Sequence, residues 1–282
     1  MTNQERQQLA VFACNVRMGV IEGTHAAKAG HPGGSLSAAD MFTYLYNKEM
    51  RIDPKNPKWA DRDRFVLSKG HTAPGLYSTL ANRGFFPVED LKTLRQIGSY
   101  LQGHPNMNTV PGVDMNTGSL GQGVSVAAGM AKAAKFQGRD INVYTLLGDG
   151  EIAEGEVWEA FLFAAHYNLD NFCAIIDLNG LQIDGPTAKV MNTAPVSDKM
   201  AAFGFNVIEI DGHSFDEMEQ AFAGFKACQG KPTAILMKTT KGKGVSYMTN
   251  SVDWHGKAPN DAEYEVAMNE LRAQLEELEA AK

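Results

Sequence analysis

Residues 146–160, LLGDGEIAEGEVWEA, run from an apolar, strand-like segment through a glycine turn into an acidic helix. The turn has the outline of a phosphate cradle, yet it carries Asp149, Glu151, Glu154 and Glu156, which repel phosphate. Its glycines fall at positions 148, 150 and 155 and so miss the dinucleotide-binding fingerprint. No Lys-Ser or Lys-Thr pair follows, which excludes a P-loop. A helix N-terminus still offers free N–H groups and a positive dipole end. The repulsion disappears if a divalent cation lies between carboxylate and phosphate. Magnesium suits that position, because it completes an octahedral oxygen shell with few protein ligands, the rest being phosphate oxygens and water. Asp149 then becomes a first ligand, Asn179 at the end of the following strand a second, and the Leu181 carbonyl a third. Taken alone, an Asp-Gly turn and an Asn-Gly strand end fit ordinary turn chemistry better than a metal site.

Working outward, five β-rich runs are legible: RFVLS (64–68), NVYTLL (142–147), FCAIIDL (172–178), FNVIEI (205–210) and TAILMKT (233–239). Helical patterns lie between most of them, including GVSVAAGMAKAAKF and SFDEMEQAFAGFKAC, the second opened by a Ser214/Glu217 capping box. A Thr2/Glu5 capping box heads a long N-terminal amphipathic helix. DAEYEVAMNELRAQLEELEAAK reads as an acidic, mostly exposed final helix. Near-continuous apolar strands alternating with helices predict an α/β fold, a parallel sheet flanked by helices on both faces. The glycine-rich stretches SKGH, GDGE, NGLQIDG and KGKG each follow one of these strands. In open parallel sheets the ligand crevice lies beyond the carboxyl ends of the strands, so all four point into one crevice.

Composition narrows the classes. The 282 residues are 44% hydrophobic and carry 26 Lys and Arg against 33 Asp and Glu, a formal charge of −7. No basic stripe of the kind that binds nucleic acid is present. The cysteines, Cys14, Cys173 and Cys228, share no metal-ligand spacing, and their odd number argues against a disulfide framework, so they read as buried free thiols. No signal pattern and no membrane-length apolar run is found. The expectation is a soluble cytoplasmic protein with a single domain over 1–282.

A GDG turn, a helix and a strand-end Asn resemble the thiamine-diphosphate signature. Further stretches narrow the likeness to the transketolase family: KAGHPGGSLSAAD (28–40), RFVLSKGH (64–71), GHPN (103–106), TGSLGQG (117–123), DLNGLQIDG (177–185), KTTKGKG (238–244) and WHGKAP (254–259). They stand in the family's order and extend over nearly the whole chain. The resemblance implies thiamine diphosphate and Mg²⁺ as cofactors, with Asp149, Asn179 and the Leu181 carbonyl as metal ligands. Gly150 lets the backbone approach the diphosphate. Gly118, Ser119 and Leu120 match the segment beside the aminopyrimidine, and His71, Lys241 and Lys257 match positions that contact the cofactor. His31, His104 and His255 resemble histidines lining the channel to the reactive carbon, His255 serving the cofactor as well. Imidazoles there suit ketol transfer, which needs hydroxyl donors and proton shuttles near neutral pH. His25 and His166 read as surface or packing residues, and His213 as part of a DGHS turn. Glu154 and Glu159 match acidic positions near an interface between two active sites, and equally suit a solvated helix start.

The family's pyrimidine-binding and C-terminal domains, with the glutamate that activates the cofactor, have no counterpart here. The resemblance therefore implies the N-terminal subunit of a split transketolase. A partner chain would supply both domains, in an expected heterotetramer acting on sugar or sugar-phosphate substrates. Two other readings stand beside it: an α-type subunit of another thiamine-diphosphate enzyme, such as a 2-oxoacid dehydrogenase, and a non-catalytic scaffold that kept the fold.

Overall fold

All five predicted runs become strands of one sheet in the computed structural model, which describes residues 1–281. β1 (Arg64–Leu67), β2 (Val143–Gly148), β3 (Phe172–Leu178), β6 (Asn206–Asp211) and β7 (Thr233–Lys238) lie in the order β1-β2-β3-β7-β6, every pair parallel. Between β3 and β6 a short antiparallel hairpin, β4 (Leu181–Gln182) and β5 (Gly185–Pro186), closes the NGLQIDG turn, an element with no counterpart among the five predicted runs.

Side-chain alternation explains why these strands are apolar throughout. Phe65, Leu67, Tyr144, Leu146, Cys173, Ile175, Ile235 and Met237 face one layer. That layer holds α3 (Ala39–Tyr44), α4 (Ala73–Asn82) and α9 (Phe215–Ala227). Val66, Val143, Leu147, Ala174, Ile176, Ala234 and Leu236 face the other, made by α5 (Gln122–Phe136), α6 (Gly155–His166) and α8 (Val196–Ala202). Burying both faces of the sheet removes the largest share of apolar surface from water, the dominant favourable term in folding.

The first helix, α1 (Asn3–Ala27), starts at the expected Thr2/Glu5 capping box. Ser214 likewise caps α9 through the Glu217 amide, but the Glu217 carboxylate returns to the Asp211 amide, so that box is only half formed. The final helix, α10 (Asp261–Ala280), is more than the exposed tail expected: Ala267, Met268 and Leu271 are buried with Cys14, Val20 and Ile21 of α1. Cys14 and Cys173 are buried, Cys228 is partly exposed, and all three are free. A six-residue helix, α2 (Pro32–Ser37), and a single turn, α7 (Thr187–Val190), complete the α-helices among the described residues. Among the described residues no helix is long and apolar enough to cross a membrane.

Candidate active site

The loops after β1, β2, β3 and β7 meet at the carboxyl edge of the sheet around a cavity of about 330 Å³. Its walls include His31, His71, Gly118, Leu120, Asp149, Gly150, Asn179, Leu181, Lys241 and His255, all singled out from sequence.

Asp149 leaves the end of β2 and is almost completely buried. Its carboxylate accepts the amides of Gly180 (2.6 Å) and Gly150 (2.8 Å), which tie the GDG turn to the β3–β4 turn. Burial, and next the nearby Asp177 carboxylate, push its pKa up to about 6. Asn179 is held by two contacts: its Nδ2 donates to Asp177 (3.2 Å) and its Oδ1 accepts the Leu181 amide (3.1 Å). The amide oxygen is thereby turned away from the Asp177 carboxylate. The Leu181 carbonyl accepts from the Lys241 ammonium at 3.2 Å. A methyl group on Gly150 would stand 2.9 Å from Gln182 Cβ, which explains glycine there.

A second tier, given no role from sequence, supports these groups. Asp177 is fully buried at the end of β3 and bonds Lys69, Ser37 (2.6 Å), Thr239 and Asn179. Burial alone would raise its pKa, but the Lys69 charge and these donors outweigh that and hold it below the ordinary value. Glu151, also buried, accepts from Ser68 (2.5 Å) and from the Gly121 and Gly148 amides (3.0 Å each). Both acids of the GDGE loop line the cavity, but the Glu151 carboxylate is taken up in locking the loop to its neighbours. Lys69 is legible in the SKGH motif two residues before His71, but nothing local marks Asp177 as the partner of a lysine so distant in sequence.

His31, His71 and His255 form one cluster, with ring centroids 5.1 Å (His31–His71), 5.6 Å (His31–His255) and 5.1 Å (His71–His255) apart. Burial, and then neighbouring cations and imidazoles, drive all three toward neutrality: His31 to about 4, His255 to about 3, and His71 well below its ordinary value. Lys241, lowered to about 8 mainly by burial, lies 2.8 Å from His255 Nδ1. With the ammonium as donor, Nδ1 is the acceptor and Nε2 carries the ring proton. The buried His31 Nδ1 and Gln182 Oε1 have no hydrogen-bond partner within the protein, and both residues line the cavity.

The structure does not bring every candidate into this cavity. His104 lies behind Gly118, where a methyl group would meet its ring at 3.1 Å, and lines an adjoining cleft with Arg95 and Asn106. Ser119 is exposed beside the wall. Lys257 points elsewhere: its ammonium pairs with Glu263 (2.9 Å) over the Trp254 ring (4.3 Å), because the α10 capping box places that carboxylate close by. Glu154 and Glu159 are exposed on α6 and its approach. His25 stacks on Tyr264 at 4.1 Å and His166 packs edge-on against Tyr167, as a packing role requires.

This arrangement fits a magnesium-bridged diphosphate. The donors of Asp149, Asn179 and Leu181 are oxygens at adjoining strand ends, and Lys69 and Lys241 lie in the same cavity wall. Among the described residues no cluster of three or more His, Cys, Asp and Glu could hold a metal by itself. A cation here would depend on ligand oxygens to complete its shell.

Comparison with known proteins identifies the family. The family profile described as "Transketolase, thiamine diphosphate binding domain" matches residues 8–277. An apulose-4-phosphate transketolase subunit from Phocaeicola vulgatus is 44% identical over 263 residues, which cover 93% of each chain. The 6-deoxy-6-sulfo-D-fructose transketolase subunit SqwG from Clostridium sp. (strain MSTE9) is 46% identical, over 86% of this chain and 88% of that one. The crystal structure of transketolase from Campylobacter jejuni superposes with a TM-score of 0.89 at 34% identity, covering 99% of this chain and 46% of that one. The chain thus spans nearly the whole of two relatives that are named as subunits and less than half of the crystallised transketolase.

Proposed function

The chain belongs to the transketolase family, through its thiamine diphosphate-binding domain, and from that premise we propose that it is one subunit of a two-subunit ketol transferase. The observation that carries the proposal is the meeting of Asp149, Asn179, the Leu181 carbonyl, Lys241 and three neutral histidines around a single cavity. Asp149, Asn179 and Leu181 would hold Mg²⁺, and Lys241 would offset diphosphate charge that the cation leaves unmatched. Bound thiamine diphosphate supplies a reactive thiazolium carbon able to carry a two-carbon ketol unit from a ketose to an aldose.

The protein's own contribution is orientation and proton handling. Gly150 would let the backbone approach the diphosphate, and Gly118 and Leu120 would wall the side of the cavity that takes the pyrimidine. His255 presents an Nε2–H that can donate to a sugar oxygen, and the His31 ring lines the same cavity beside it. Because the cluster stays neutral at pH 7, each imidazole can both donate and accept a proton.

We assign 1–282 to a single diphosphate-binding domain and place the pyrimidine-binding and C-terminal domains on a partner chain, in a heterotetramer. The support is that the relatives matched nearly end to end are themselves named as transketolase subunits. The names of two relatives specify ketoses with an anionic group, a phosphate and a sulfonate, so an acidic ketose is the substrate class proposed. The test is to co-purify the partner, titrate the complex with thiamine diphosphate and Mg²⁺, and assay it against phosphorylated, sulfonated and neutral ketoses. No cofactor binding by the complex would end this reading, and equal turnover of neutral ketoses would remove the acidic-substrate assignment.

A further inference from the structure

His213 lies outside the cavity, in the turn between β6 and α9, and its ring reaches inward rather than into solvent. Its Nε2 receives the Thr240 backbone N–H at 2.9 Å, so that nitrogen is unprotonated. The proton therefore sits on Nδ1, which donates to Asp40 Oδ2 at 2.7 Å. Asp40 is buried on α3, and the same carboxylate oxygen accepts from Arg17 of α1 at 2.6 Å. Arg17 also donates, through Nε, to the Lys243 carbonyl at 3.1 Å. One buried carboxylate thus orients two side chains that grip the β7 loop at Thr240 and at Lys243. Lys241 and Gly242 lie between those grips, and the Gly242 amide is tied to the Gly33 carbonyl at 3.0 Å.

We propose that His213 is a positioning residue for Lys241, fixing the backbone from which this lysine reaches the Leu181 carbonyl and His255. The inference rests on the cofactor reading above and extends it to a residue that touches neither cofactor nor substrate. Lys241 has a long, flexible stem, and its ammonium can span two acceptors only if its Cα is held in place. Asp40 and Arg17 keep the His213 ring in the required tautomer and orientation, as an outer-shell carboxylate does for a ligating histidine.

The experiment compares His213→Ala, His213→Gln and His213→Asn. Gln places an oxygen acceptor where Nε2 stood, while Asn retains only a donor toward Asp40. In the cofactor-free protein, amide exchange at Thr240 should accelerate in the Ala and Asn variants and return toward wild type in Gln. In the complex with its partner, titrated with thiamine diphosphate and Mg²⁺, the Ala and Asn variants should weaken cofactor binding by roughly 10-fold, the scale of outer-shell losses. Gln should recover most of that loss. Adding His213→Ala to Lys241→Met should cost little more than Lys241→Met alone, because the two act through one group. Unchanged Thr240 exchange, equal behaviour of Gln and Asn, or additive losses would each overturn the proposal. A wild-type complex that binds no cofactor would instead refute the cofactor reading, and the exchange pattern would still judge the grip of His213 on Thr240.

Discussion

Asp149 shows why its role needs a conservative test. It is buried and satisfies two backbone amides, so Asp149→Ala would strand both donors at a cost of about 1–3 kcal/mol each. Asp149→Asn keeps an acceptor and removes the charge. The expected outcome is near-native thermal unfolding with Mg²⁺-dependent cofactor affinity reduced by roughly 10-fold or more, read by calorimetric titration. Near-wild-type affinity would remove Asp149 from the metal site. The histidines carry a pH signature. In the folded chain His31 titrates at about 4 and His255 at about 3, against an ordinary value of 6.5. Below 6.5 the unfolded chain takes up protons that the folded cluster refuses. Their stabilisation is thus complete above 6.5 and lost as pH falls toward 4. Asp149, raised to about 6 mainly by burial, works in the opposite direction between about 6 and 3.8, as do the buried carboxyls of Glu151 and Asp114, so the histidine contribution is read from a variant that removes it. Urea unfolding in steps from pH 7.5 to 4.5 should show stability falling, and a His31→Gln/His255→Gln double variant should flatten the slope.

At the scale of elements, the site depends on loops whose shape comes from packing. Gly242 has φ +75°, and a methyl group there would stand 2.2 Å from the Met248 carbonyl oxygen. Gly242→Ala should therefore destabilise by more than about 1 kcal/mol and displace Lys241, seen as a lower Tm together with weaker cofactor binding. A lower Tm with unchanged affinity would show that Lys241 tolerates movement of its loop. Lys69 and Asp177 join the loop after β1 to the end of β3 in the core. Lys69→Met leaves a buried carboxylate unpaired, and about 3–5 kcal/mol of stability should go with it, measured by denaturant titration. A loss under about 1 kcal/mol would mean that Ser37, Thr239 and Asn179 suffice to hold Asp177. The strands and long helices were legible because period and turn chemistry are local signals, whereas the β4–β5 hairpin is too short to have a period. The burial of α10 was not legible because its acidic face dominates the composition and its apolar residues acquire meaning only against α1.

For the whole molecule, the open question is what covers the apolar side chains it displays. Leu162 and Phe163 of α6 are partly to largely exposed, at 57% and 37%, and Ile183 at the cavity wall is 63% exposed. If a partner chain closes over α6, Leu162→Glu should leave the fold intact and prevent assembly, as solution mass measurement of the mixed chains would show. Full assembly of that variant would move the interface elsewhere. The same reasoning predicts that the chain purified alone has no ketol-transfer activity and that adding the partner restores it. Robust turnover by the lone chain would contradict the division of the active site between two chains.

The α/β class, the five strands and the meeting of GDGE, NGLQIDG, SKGH and KGKG at one crevice were determined by the sequence alone. Each rests on short-range pattern and on the general rule that parallel sheets bind at their carboxyl edge. The tertiary structure alone decided which charges face the cavity and which support it. Asp149 and Glu151 are two residues apart, chemically alike and both at the cavity wall, yet one accepts the amides of Gly150 and Gly180 while the other bolts the loop to Ser68 and Gly121. Lys241 and Lys257 both follow promising motifs, yet one reaches Leu181 and the other is drawn to Glu263. Asp40, Asp177 and His213 gain their roles from partners far away in the chain. A charged side chain settles where opposite charge and hydrogen bonds offset the cost of burying it, and that is decided only when distant segments meet.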